Sequence, residues 1–309
     1  MNTTNLRFRS NRVRDIISLF HEELDGVYGS GEVGVFIGML FEAFLGWDKV
    51  WLLTSKEQTI DQSDLLRFHW ALEDLKKHSP IQHIIGYTEF CGCRINVSPD
   101  VLIPRPETEE MVEKVVGHTP QSLRDSSPNL GEQLNSILDL CTGSGCIAIA
   151  LKKAFPGAEV TAVDISSAAL DIARQNAQNN NVKVRFVQGD VLTHPDRFAA
   201  TPPEEGMEYN LIVSNPPYVR ERERAAMQAN VLDHEPGLAL FVPDDDPLCF
   251  YRAIARIAQQ QLAKEGLLVV EINEALADET CAVFATAGLK SVVYKDFRGK
   301  SRWLTARFE

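Results

Sequence analysis

The chain has 309 residues, 44% hydrophobic and 24% charged, the make-up of a soluble globular protein with one large or two modest domains. Its net charge of −12 argues against tight, non-specific attraction to a phosphate backbone. The six cysteines include no CxxC and no Cys/His pair at zinc spacing, so reduced thiols in a cytosolic protein are expected, with no metal site. The polar start carries Arg7, Arg9, Arg12 and Arg14 without a following apolar core, so no signal peptide is expected. The longest apolar stretch, Val33 to Trp47, is too short for a bilayer span and contains Glu42, so no membrane partner is expected.

Residues 11 to 78 read as helical. Val13, Ile16, Ile17, Phe20 and Leu24 recur at helical spacing, as do Val33, Phe36, Ile37, Leu40, Phe41 and Phe44. Leu65, Phe68, Leu72 and Leu75 define a third helix, ending near Lys77 because Pro80 disfavours helical geometry just before it. Trp47, Trp51 and Trp70 are expected in the core of this bundle. Residues 1–79 are therefore assigned to a helical domain.

The period changes over 80–98. Ile84 to Phe90 and Cys93 to Val97 are strand-like around a Cys91-Gly92 turn, which predicts a linking β-hairpin. Leu102-Ile103-Pro104-Arg105-Pro106-Glu107-Thr108-Glu109 is a stiff segment leading into a helix with acids in its first turn. Read on composition, that segment is a capping linker. Residues 117 to 134 read as a mobile surface loop.

From Ile137 a rhythm sets in. Strand-like runs end near Asp139, Asp164, Asp190 and Asn215, roughly 25 residues apart, with helical patterns between the first three. Repeated strand–helix units make a parallel sheet covered on both faces. The rhythm breaks over Val219 to Pro247, a candidate substrate loop, and resumes with a helix at Leu248–Ala263 and a strand at Gly266–Ile272. Ser291–Tyr294 and Trp303–Phe308 are joined too briefly for a crossover, so they are expected to form an antiparallel hairpin. Residues 99–309 form the second domain.

Ile137 to Ala148 reads strand, glycine-rich turn, helix start. Its glycines admit a ligand to the backbone, and the helix N-terminus offers unpaired N–H groups. Asp164 is placed to bond a ribose hydroxyl pair. Gly143-x-Gly145-x-x-Ala148 with an acid about twenty residues on also satisfies the dinucleotide fingerprint, so this stretch alone does not separate NAD from S-adenosylmethionine. Asp190 can accept from an adenine amino group or simply cap its own turn.

Asn215-Pro216-Pro217-Tyr218 ends a buried strand, Leu211-Ile212-Val213, where open α/β sheets bind ligands. The prolines stiffen the turn and hold the Pro216 carbonyl away from any ladder. An amide side chain, a fixed carbonyl and an aromatic face suit a planar –NH2 group. A Pro-rich turn without function fits four letters equally well. A dehydrogenase has no evident use for the tetrapeptide, and the nearest histidines, His194 and His234, sit in apparent loops.

With Asn215–Tyr218, Asp139–Gly145 and Leu102–Glu109 together, the chain resembles the HemK/PrmC family from about Pro80 to Glu309, and the helical N-terminal part fits in kind. These are the N5-glutamine methyltransferases of peptide chain release factors, acting on a glycine-glycine-glutamine motif. Asn-Pro-Pro-Tyr alone is shared with DNA amino-methyltransferases. Pro106-Glu107-Thr108-Glu109 looks like the release-factor branch, with ribosomal-protein glutamine methyltransferases the neighbouring branch. Glu235-Pro236 also looks like a family element.

The resemblance implies an α/β class I methyltransferase core, doubly wound and mostly parallel with an antiparallel C-terminal hairpin, plus a helical domain that helps seat the release factor. It implies S-adenosylmethionine as cofactor, contacted by Cys141, Thr142, Gly143, Ser144, Gly145, Asp164, Asp190, Val191 and Asn215. Catalysis would fall to Asn215, Pro216 and Tyr218, with Pro217, Arg105 and Glu109 also contacting substrate. Thr108 belongs to the same loop as Arg105 and Glu109, near the cofactor's methionine end. A release-factor substrate is implied, without stable nucleic-acid binding, in the cytoplasm. Cys141 stands where a glycine often opens the loop, and Val191 where some relatives carry an aromatic.

Overall fold

The computed structural model describes residues 8–117, 134–193 and 208–309. The loop expected over 117–134 falls almost wholly outside these, as do Arg7 and His194. Contacts divide the chain into two units. One runs to Gly86 and takes in Ala229–His234; the other comprises Tyr87–Gln228 and Glu235–Glu309.

In the first unit the helical periodicities become α1 (Val13–Tyr28), α2 (Ser30–Leu45), α3 (Lys49–Thr54), α4 (Gln62–Lys76) and α5 (Ile81–Ile85). Val13, Ile16, Phe20 and Leu24 place one face of α1 in the core, where Phe20 and Phe41 both meet Phe68. Gly46 ends α2 in the left-handed conformation that glycine adopts freely. Two expectations fail here. Trp51 is 37% exposed on α3, a short helix that buries none of its residues, and Trp70 is 56% exposed because Leu65, Phe68, Leu72 and Leu75 claim the buried face of α4 and leave it opposite. Ile84 and Ile85 are helical, not strand. Ile81 is buried in the helical core, Ile84 and Ile85 pack against it, and Gly86 at φ +84° stops the turn.

The second unit opens with the antiparallel hairpin β1 (Tyr87–Phe90) and β2 (Cys93–Asn96), then α6 (Pro106–Val116) with proline in its first turn and acids at Glu107 and Glu109. The strand–helix rhythm follows as β3 (Ser136–Leu140), α7 (Cys146–Ala154), β4 (Glu159–Asp164), α8 (Ser167–Asn179), β5 (Arg185–Gln188) and β6 (Tyr209–Ser214). The expected break contains a short parallel pair, β7 (Val219–Arg220) and β8 (Phe241–Val242), and a 3-10 turn at Glu221–Ala226. Then come α9 (Cys249–Gln261), β9 (Leu262–Glu271), α10 (Ala277–Thr286), β10 (Leu289–Lys295) and β11 (Ser301–Phe308). Helix α3 falls within the stretch read as helical, whereas α10 has no counterpart in the sequence periodicity.

Seven strands form one sheet in the order β10-β11-β9-β6-β3-β4-β5. β3, β4, β5, β6 and β9 are parallel; β11 runs antiparallel to β9 and to β10, the expected C-terminal hairpin. Alternate residues serve opposite faces. Ile137, Leu211 and Val269 join the core beneath α6, α7 and α8, whereas Leu138, Ile212 and Leu268 join that of α9 and α10. The chain winds outward from β3 to β4 and β5, then returns to β6 on the other side, so the carboxyl ends of β3 and β6 flank the point where strand order reverses. Leu140 pairs with Ser214, and Ser214 Oγ donates to the Leu140 carbonyl at 2.8 Å, so Cys141 and Asn215 leave the sheet side by side.

Candidate active site

The β3–α7 turn is built around a buried carboxylate. Asp139 is fully buried; its Oδ2 accepts from Thr142 Oγ1 at 2.5 Å and from the Ala148 N–H at 3.2 Å, while its Oδ1 has no partner among the described residues. Burial pushes this carboxyl up to about 7, against the pull of those two donors. Cys141 adopts φ +61°, a conformation that costs a non-glycine residue about 1–2 kcal/mol and explains why a glycine often stands there. Gly143 (φ +53°) has open space where a side chain would begin. Gly145 (φ +81°) has none: a Cβ would lie 3.0 Å from that of Ala173 in α8. Gly145 thus serves close helix packing and is not part of the cavity wall.

Beyond the turn, Asp164 Oδ2 accepts from the Gly143 N–H at 2.8 Å and Oδ1 from the Ser166 N–H at 2.9 Å. Burial raises this carboxyl as well. Asp190 is held by its own turn, accepting from the Leu192 N–H at 2.8 Å and Thr193 Oγ1 at 2.9 Å. That is the capping role left open by the sequence, yet Asp190 also lines the cavity.

One cavity collects Cys141 to Ser144, Asp164, Asp190, Val191, Asn215 and Pro217. Arg105 and Thr108 line it from the segment before and within α6, and Phe250 brings an aromatic ring to the wall that Val191 shares. Of the residues singled out from the sequence, Gly145, Pro216, Tyr218 and Glu109 do not line it. Glu109 Oε1 instead accepts from the Cys91 N–H at 2.5 Å, fastening α6 to the turn of the hairpin. His234 lies in the other unit, its Nε2 3.2 Å from the Lys77 carbonyl.

The Asn215 corner is organised by three side chains from distant segments. Asn215 Nδ2 donates to Thr108 Oγ1 at 3.0 Å, and Thr108 Oγ1 donates to Glu271 Oε2 at 2.6 Å. Tyr218 donates its hydroxyl to Glu271 Oε1 at 2.8 Å. Asn273 Nδ2 holds the Tyr218 carbonyl at 3.0 Å. Asn215 Oδ1 has no partner among the described residues. Burial raises the Glu271 carboxyl, opposed by Thr108, Tyr218 and Arg302; the Tyr218 hydroxyl is pushed well up by its own burial and by Glu271.

A second carboxylate fastens the segment before α6. Glu235, 7% exposed, accepts from the Ile103 N–H at 3.1 Å and from Arg105 Nη2 at 2.7 Å. Sequence reading reached Glu235 only as part of a family element and missed Glu271 and Phe250 altogether. For Glu271 a signal existed: an acid inside Leu267-Leu268-Val269-Val270-Glu271-Ile272, where a buried parallel strand has no ordinary use for charge.

The sheet order and a glycine turn opening on a rim cavity define a methyltransferase. Residues 127–235 match the family described as the methyltransferase small domain, and residues 30–86 that described as the PrmC N-terminal domain. The chain is 40% identical to the release factor glutamine methyltransferase of Bacteroides thetaiotaomicron, over 94% of this chain and 98% of that one. It is 38% identical to that of Flavobacterium psychrophilum, over 96% and 99%, and 36% identical to that of Chlorobaculum tepidum, over 86% and 87%. The chain belongs to the release factor glutamine methyltransferase family.

Proposed function

We propose that this chain transfers a methyl group from S-adenosylmethionine to the side-chain amide nitrogen of the glutamine in the glycine-glycine-glutamine motif of peptide chain release factors. The observation that carries the reading is the direction of one hydrogen bond. Because Asn215 gives its Nδ2 to Thr108, its Oδ1 is left to accept from a substrate –NH2. The chain's membership of a family whose relatives bear that name supports the same substrate.

The cavity's chemistry fits the cofactor. Open space over Gly143 admits a ligand to the backbone. Asp164 retains acceptor capacity for ribose hydroxyls and Asp190 for an adenine amino group, with Val191 and Phe250 as apolar walls. When bound, S-adenosylmethionine supplies an electrophilic methyl carbon on a sulfonium.

A carboxamide nitrogen is a weak nucleophile because its lone pair is delocalised into the carbonyl. Asn215 Oδ1, accepting one N–H, orients that nitrogen and stabilises the positive charge that develops on it. Pro216, buried and off the cavity wall, shapes the corner and is not the second acceptor expected from the sequence. Tyr218, held by Glu271 and Asn273, backs this corner and helps keep water out. Arg105 lines the cavity with its guanidinium on Glu235 and does not offer a free cation.

A nucleic-acid base is the competing –NH2 donor. Holding a strand would call for a basic face, and the three arginines that follow Tyr218 each have an acidic neighbour: Arg220 with Glu223 at 2.9 Å, Arg224 with Glu221 at 3.1 Å and Arg222 with Asp244 at 3.9 Å. That neutralisation favours a protein substrate. No helix among the described residues is long and apolar enough to cross a membrane. A cytoplasmic location follows from the substrate, since termination occurs there. The test is transfer of tritiated methyl to purified release factor, which is expected to need the motif's glutamine. Label that persists after that glutamine is replaced would overturn the reading.

A further inference from the structure

Glu271 is an unusual buried acid. It is 1% exposed at the end of β9, and among the described residues it makes no ion pair, because Arg302 directs its Nε to Asp296 at 3.1 Å. Two hydroxyls satisfy it instead, Thr108 on Oε2 and Tyr218 on Oε1. Burying a carboxylate with no direct ion pair, Arg302 acting on it only from a distance, is costly, and an apolar residue would pack a strand of this kind at lower cost. The acid is therefore doing something that packing does not require.

We propose that Glu271 is a positioning residue that sets the direction of the hydrogen-bond chain ending at Asn215, and so decides which end of the Asn215 amide faces the cavity. A carboxylate only accepts. Thr108 has a single hydroxyl proton and must spend it on Glu271, so toward Asn215 its Oγ1 can act only as an acceptor. Asn215 must then present Nδ2 to Thr108, and its Oδ1 turns outward. Were the anchor a donor, Thr108 could donate to Asn215 Oδ1. The amide would then turn over and point its own N–H groups at the substrate's N–H groups. The same carboxylate holds the Tyr218 hydroxyl, so one group orders both side chains of the corner. Thr108 itself is 2% exposed, so its hydroxyl is committed to these two partners rather than to bulk solvent.

This inference rests on the proposed amide-nitrogen chemistry. Glu271→Gln is nearly isosteric but carries an –NH2, so it cannot accept from Thr108 and Tyr218 at once. Its kcat is expected to fall roughly tenfold to hundredfold, with KM for release factor within about threefold, the pattern of lost alignment rather than lost binding. Thr108→Val removes the relay hydroxyl and should match that loss, while Thr108→Ser recovers most of it. The double variant Thr108→Val/Glu271→Gln should be no worse than the poorer single one, since both break one chain.

An activity-independent readout is the side-chain amide signal of Asn215 in 15N NMR spectra, which both single variants should shift alike. If Glu271→Gln does not fold, the Val and Ser variants of Thr108 carry the test alone. The proposal is overturned if Glu271→Gln keeps kcat within about twofold of the parent, if the two losses multiply, or if the Asn215 signal does not respond. Should the parent enzyme leave release factor unmethylated, the functional reading falls, and the amide signal still decides the role of Glu271.

Discussion

The two halves of the sheet's rim are built on different principles. At the ends of β4 and β5, Asp164 and Asp190 are positioned mainly by nearby backbone: Ser166 N–H for one, Leu192 N–H for the other. At the ends of β6 and β9, Asn215 and Glu271 are positioned through Thr108, which stands 107 and 163 residues from them in the chain. The first half is a set of turns that the strand ends supply largely for themselves, with the Gly143 N–H of the neighbouring turn as Asp164's second donor. The second exists only once α6 has docked against the sheet. A ligand common to many proteins can be held by local turns, whereas aiming one particular nitrogen demands parts from several segments.

The sharpest way to break this contrast is Asn215→Ala. Losing one preorganised acceptor should cost about 2–4 kcal/mol in the transition state, a 10²–10³-fold drop in turnover, while the Kd for S-adenosylmethionine measured by calorimetry changes far less. Equal losses in both would merge the two halves into one site. Next in size is Gly145→Ala, where the added Cβ meets Ala173 at 3.0 Å in a backbone with φ +81°. Urea unfolding should show a loss of about 1–3 kcal/mol, because the position serves packing and not ligand contact. Asp164→Asn probes the local half. Cofactor Kd should weaken by about tenfold with kcat at saturating cofactor little altered, as expected for one charge-assisted hydrogen bond.

A separate effect, read as a slope and not as a loss of turnover or binding, is on pH dependence. Asp139 has its carboxyl raised to about 7 by burial, so the folded state holds its proton more tightly than the unfolded chain does. Its contribution to stability is present below about pH 4, the ordinary value for an aspartate, and is lost as pH rises through the folded value. Melting temperature of the cofactor-free protein should therefore decline between pH 5 and pH 8. Asp139→Asn should flatten that decline without abolishing it, since Asp164 and Glu271 are raised in the same sense.

What was legible in the sequence follows the same division. The alternation of strands and helices, the glycine turn, Asp164 and Asp190 were readable because each is written in a few adjacent residues, and the brief link between β10 and β11 announced their antiparallel pairing. Trp70 was misread because a large aromatic suggests burial, although its place on α4 opposite Leu65, Phe68 and Leu72 already set it on the outer face. Ile84 and Ile85 look like strand by composition and are helical because the helical core takes their side chains. Tyr218 was expected at the cavity wall. It packs against the core shared with α9 and reaches Glu271, a partner no local pattern could indicate. Glu109 likewise found a partner, the Cys91 N–H, that only tertiary docking brings near.

The central claim is that the Asn215 corner receives a neutral side-chain –NH2. Tandem mass spectrometry of release factor, after reaction with cofactor carrying a deuterated methyl, addresses it most directly. The account predicts one labelled methyl, on the side-chain nitrogen of the motif's glutamine. Label on a carboxylate oxygen, on another residue, or on nucleic acid with the release factor left unmodified would contradict it.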